Sequence, residues 1–93
     1  MFFASNSLNV HFIEVRILVS FKDSVLDPQG LTVKNALLTL GYDFVKDVRQ
    51  GKVFELELER IPKEQAQKAI PEISQRVLTN PIIEKFSWEI IED

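Results

Sequence analysis

Phe12-Ile13-Glu14-Val15-Arg16-Ile17-Leu18-Val19-Ser20-Phe21-Lys22 alternates at period two, then gives way through Asp23-Ser24-Val25-Leu26 to Asp27-Pro28-Gln29-Gly30 and a helical period. That change decides the fold. Ile13, Val15, Ile17, Val19 and Phe21 share one side of an extended chain, and Glu14, Arg16, Ser20 and Lys22 share the other with Leu18. Such alternation, rich in β-branched residues, predicts a half-buried strand. Asp27 is placed to cap a helix by accepting a backbone N–H bond. Pro28 suits the first helical position, where its missing donor would be unpaired anyway. The apolar rhythm Leu31, Val33, Leu37, Leu38, Leu40 carries the helix over residues 28–40, and Gly41 supplies the left-handed residue that ends it.

Working outward, Phe44 to Arg49 is predicted to be a short strand, with Gln50-Gly51 as the turn of a hairpin. Val53 to Arg60 alternates again: Phe54, Leu56 and Leu58 point inward, Glu55, Glu57 and Glu59 outward. Ile61-Pro62-Lys63-Glu64 opens a second helix through Leu78, with Ala66, Ile70, Ile73 and Val77 on one side. Pro71 lies inside it and predicts a bend near residues 67–71, because proline lacks the N–H donor and clashes with the preceding turn. Asn80-Pro81 ends that helix, and Ile82 to Ile91 forms a last strand with Phe86, Trp88 and Ile90 on one side. The predicted order is β-α-β-β-α-β. It defines an α+β, ferredoxin-like domain with one antiparallel four-stranded sheet and two helices on one face. Arg16 and Lys22 are expected to meet Glu55, Glu57 and Glu59 across the bare face, where Leu18 and Val53 leave an apolar element.

The 93 residues suffice for one domain, and an apolar content of 45% is that of a packed protein. Residues 1–11 are expected to be a flexible extension and residues 12–93 a single domain. A domain this small buries only about 60–65% of its unfolded surface, which favours association with a second copy or a partner. There is no cysteine, so disulfides and thiolate chemistry are excluded. The net charge of −3, with both signs interleaved, provides no basic stripe for nucleic acid. No apolar run approaches the ~20 residues of a membrane span. A cytoplasmic setting is expected.

Candidate chemistry is sparse. Glu55, Glu57 and Glu59 put three carboxylates on one side of a strand, the pattern of a solvated face; acid–base work would need environments that separate their pKa values. His11 has no nearby serine or acidic orienter, and Ser20, Ser24 and Ser74 lack a base at any recognisable spacing. No metal site is expected. Capping accounts for Asp27 and Pro28 but leaves Gly30 unexplained, since glycine in a first helical turn costs about 0.5–1 kcal/mol relative to alanine. Glycine there permits close backbone approach, by a neighbouring chain or by a ligand at the helix N-terminus. Arg49, Gln50, Gly51 and Lys52 are expected to project from the hairpin tip as a docking contact.

Taken in a row, Val15 to Lys22, Val25-Leu26-Asp27-Pro28-Gln29-Gly30, Leu40-Gly41-Tyr42, Val48-Arg49-Gln50-Gly51-Lys52 and Leu78-Thr79-Asn80-Pro81-Ile82-Ile83-Glu84 resemble the PurS family, over nearly the whole chain. The extension before the first strand and Pro71 depart from that family's pattern. The resemblance implies a non-catalytic small subunit of phosphoribosylformylglycinamidine synthase, a glutamine-dependent C–N ligase of purine biosynthesis. In that family a glutaminase subunit releases ammonia, and a large synthetase subunit, using ATP and Mg, adds it to the formylglycinamide ribonucleotide. PurS dimerises, bridges the two and assists ammonia transfer. It brings no catalytic residue and no cofactor of its own; Asp27, Pro28, Gln29, Gly30, Arg49, Gln50, Gly51 and Lys52 become the candidate partner interface. The alternative is an ACT-like regulatory domain, which shares the element order and binds a small amino acid between two copies near an Asp/Pro/Gly turn.

Overall fold

The computed structural model describes residues 12–92. The predicted flexible extension, His11 and Asp93 therefore lie outside the described residues. The alternating stretch forms β1 (Phe12–Phe21), followed by α1 (Pro28–Thr39), β2 (Gly51–Glu59), α2 (Lys63–Ile73) and β3 (Glu84–Glu92). A π-helical turn, Ser74–Leu78, extends α2. β1 is the centre of a three-stranded antiparallel sheet of order β2-β1-β3. Val15 is registered with Leu56 and Ile90, and Ile17 with Phe54 and Trp88, so apolar side chains from all three strands share one face.

The four-stranded, ferredoxin-like sheet of the sequence-based prediction is corrected to three strands, and the order to β-α-β-α-β. Residues 44–50 form neither strand nor hairpin. Their donors are committed elsewhere: Val45 N–H bonds to the Tyr42 carbonyl, Val48 N–H to the Asp47 side chain, and Gln50 N–H to Asp27 Oδ2. Gly51 turns no corner; it opens β2 opposite Ser20. It passes so close to β1 that a methyl group there would lie 2.5 Å from the Val19 carbonyl oxygen.

Ile13, Val15, Ile17 and Val19 of β1 are buried together with Ala66 and Ile70 of α2. Phe54, Leu56, Leu58, Phe86, Trp88 and Ile90 pack around them. α1 contributes nothing to this core. Gly30 is its one buried residue, while Leu31 and Leu38 remain exposed. Its end nevertheless has the predicted form. Gly41 has φ +99°, and the N–H groups of Gly41 and Tyr42 bond to the carbonyls of Leu38 and Leu37. This is the Schellman pattern, in which a left-handed residue lets the last carbonyls find donors.

α2 runs through Pro71 as continuous α-helix to Ile73, so the change of helical register falls later than residues 67–71. At Ser74 the helix widens. The Ser74 hydroxyl, fully buried, donates to the Ile70 carbonyl at 2.8 Å. Such back-bonding competes with the main-chain ladder and loosens a helix locally.

Candidate functional site

The residues singled out in the sequence meet at one end of the sheet. Asp27, at the mouth of α1, is extended (φ −112°, ψ 91°) and almost fully buried. Its Oδ1 accepts the Gly30 N–H at 2.9 Å, as a helix cap should. Its Oδ2 accepts a second bond, 2.6 Å, from the Gln50 N–H, 23 positions along the chain. One carboxylate thus clasps the start of α1 to the segment entering β2. Both bonds favour the charged form, and the Gln50 N–H, then the Gly30 N–H, hold the carboxyl below its ordinary pKa.

The other members reinforce the clasp. Arg49 Nη2 donates to the carbonyls of Lys22 and Val25, at 3.0 and 3.1 Å, and so fastens the linker between β1 and α1. The Gln50 side-chain amide donates to Gln29 Oε1 at 2.8 Å. Pro28 begins the helix, and its carbonyl accepts from the Thr32 hydroxyl. Gly30 now has its reason: a Cβ there would overlap the Val48 carbonyl oxygen and crowd the Asp27 carboxylate. The chain before β2 crosses the first turn of α1 too closely for any side chain. Lys52 Nζ lies 3.7 Å from Glu84 Oε2, across β1, and 5.9 Å from the centre of the Phe54 ring.

Sequence reasoning missed one member and one bond. Glu84 ends the Asn80-Pro81-Ile82-Ile83 turn, and its Oε1 accepts the Asn80 N–H at 2.7 Å. The second bond to Asp27 had no local signal, because capping already accounted for that side chain. The expected charge ladder is present only in part. Arg16 pairs with Glu55 at 2.9 Å, whereas Glu59 stands opposite Phe12 and Lys22 lies beyond the strand. Among the described residues no group of three or more His, Asp or Glu could hold a metal ion. No helix among them is long and apolar enough to cross a membrane.

The fold and the clasp define a small α+β module that presents a stiffened polar corner beside an uncovered helix. Residues 14–92 match the PurS family, phosphoribosylformylglycinamidine (FGAM) synthase. The PurS subunit of that synthase from Bacillus subtilis is 39% identical over 79 residues, spanning 85% of this chain and 93% of its own. Its counterpart from Synechocystis is 40% identical over 80 residues, spanning 86% and 80%. The solved B. subtilis PurS superposes with a TM-score of 0.75 at 39% identity, over 86% of this chain and 99% of its own. The matching chain of PurLQS from Thermotoga maritima gives 0.78 at 29% identity, over 86% and 98%. The chain belongs to the PurS family.

Proposed function

We propose that this chain is the non-catalytic assembly subunit of a phosphoribosylformylglycinamidine synthase in purine biosynthesis. It bridges a glutaminase and an ATP- and Mg-dependent synthetase and assists ammonia transfer between them in the cytoplasm. The observation that carries this reading is the convergence of Asp27–Gly30 and Arg49–Lys52 into one clasped, largely exposed corner. Side chains locked to the backbone cost little further entropy on docking, which suits a contact surface. A T. maritima chain of the same fold occurs in PurLQS, which supports a multi-subunit setting. Ammonia is small, diffusible and protonated in water, so a bridge that aligns two sites and excludes solvent has a physical purpose.

The chain also pairs with itself in this reading. Leu31 and Leu38, seven positions apart on α1, are 46% and 36% exposed, and no part of the sheet's core covers them. Leu18 and Val53 leave a second apolar element on the open sheet face. Sedimentation at micromolar concentration should report a dimer or larger species, reduced to monomer by Leu38→Glu or Leu18→Glu according to which surface is used; a monomeric parent refutes the pairing. For the bridging role, glutamine-dependent synthesis should require this chain together with both partner subunits. Full activity of those two without it would sink the assembly role.

A further inference from the structure

Beside the clasp lies a cavity of about 220 Å³, lined by Val19, Phe21, Gln29, Gln50, Lys52 and Glu84 among others. It is smaller than the roughly 300–1,000 Å³ of pockets that take drug-sized ligands, so an occupant must be metabolite-sized. Its two charged groups form a loose ion pair. At 3.7 Å, Lys52 Nζ and Glu84 Oε2 attract but are too far apart for a hydrogen bond. Glu84 is anchored through Oε1 to the Asn80 N–H, which leaves Oε2 toward Lys52. An anion entering here would meet Glu84 and a cation would meet Lys52; a ligand carrying both charges matches both.

The cavity is also lined by two neutral carboxamides. Gln29 and Gln50 share one amide–amide bond of 2.8 Å. That bond uses one N–H and one carbonyl and leaves three N–H donors and one carbonyl, so the pair keeps both a donor and an acceptor to offer. A third carboxamide would satisfy both. Phe21 and Val19 add apolar surface to the lining.

We propose that this cavity binds a small zwitterionic α-amino acid with a carboxamide side chain. Lys52 takes its carboxylate, Glu84 its ammonium group, and the Gln29–Gln50 pair its side-chain amide. The site is complete within one chain and does not depend on the assembly role, so it is tested on the isolated full-length protein. Calorimetric titration with L-glutamine and L-asparagine should show saturable binding by at least one of them, with a Kd of about 1 mM or tighter. Glycine, acetamide and L-glutamate, which lack the amide, the charges or neutrality, should each bind roughly tenfold more weakly or worse. Lys52→Met and Glu84→Gln should abolish the binding while thermal melts show them folded, and Gln50→Ala should erase the preference for amide over glycine. Absence of saturable binding by both amide amino acids, retention of binding in Lys52→Met and Glu84→Gln, or equal affinity for acetamide would each overturn the proposal.

Discussion

The two helices of this domain are held by different physics. α2 is secured by burial: Ala66 and Ile70 are inserted among the inward residues of β1. α1 shares none of that core and is fastened at its N-terminal end by polar bonds to Asp27 and, behind it, by Arg49 to the linker. The contrast teaches that membership of one fold does not imply one stability. Burial is spread over many contacts and tolerates adjustment, whereas a carboxylate that closes two segments fails as a unit.

Substitution should separate the two regions, beginning with the core. Ile70 has no exposed surface, so Ile70→Ala should destabilise the whole domain by about 2–5 kcal/mol. In a domain of this size each kcal/mol lowers Tm by about 4–8 °C, and a thermal melt should show one cooperative shift. Asp27→Ala should lower Tm by roughly half that amount or less, with a different distribution. Amide exchange should quicken at the start of α1 and at Gln50 while β1 and β3 keep their protection. Uniform loss of protection across the sheet would show that α1 is not a separate unit.

The acid limb of stability offers a gentler probe. Asp27 has a folded pKa below its ordinary value, so its contribution is fully present above about pH 4 and disappears as pH falls through the depressed value. Asp23, held low by its hydrogen bond and attraction to Lys85, acts in the same direction. The urea midpoint of the parent should therefore fall as pH drops below about 4, and Asp27→Asn should flatten that dependence. An unchanged acid limb in Asp27→Asn would remove the clasp from the account. Least disruptive of all, Gln29→Ala should leave Tm nearly unchanged, because it loses a single exposed amide bond. It should still weaken complex formation with the synthetase subunit in size-exclusion chromatography. Assembly and turnover equal to the parent's would confine this corner to a structural role.

How legible these regions were in the sequence follows the same division. β1, the Asp27 cap, the Gly41 exit and the inward face of β3 rest on neighbours a few positions apart, and periodicity displayed them. Phe44–Arg49 misled because its Phe and Val residues ahead of Gln50-Gly51 were locally consistent with a strand. Its Val45 and Val48 donors instead turn to Tyr42 and Asp47 close by, and the next donor, Gln50 N–H, is claimed by Asp27, distant in sequence. Gly51 was assigned to a turn for the same reason; its real cause, the nearness of Val19, is a sheet contact. The residues of the candidate corner were identifiable as two separate segments. Their union was not, because one carboxylate performs a local and a long-range task, and only the first leaves a pattern.

The way Asp27 meets Gln50 also bears on how this chain could change over generations. The two close the α1 excursion at its base, like the foot of a handle riveted to a plate. For a flexible loop, doubling the length adds only about 0.6 kcal/mol of closure cost. Residues inserted in the 42–47 connection would therefore be absorbed outside the rivet, leaving β2 to start at Gly51 opposite Ser20 as before. The handle is free to be reshaped for a new grip while the plate keeps its register.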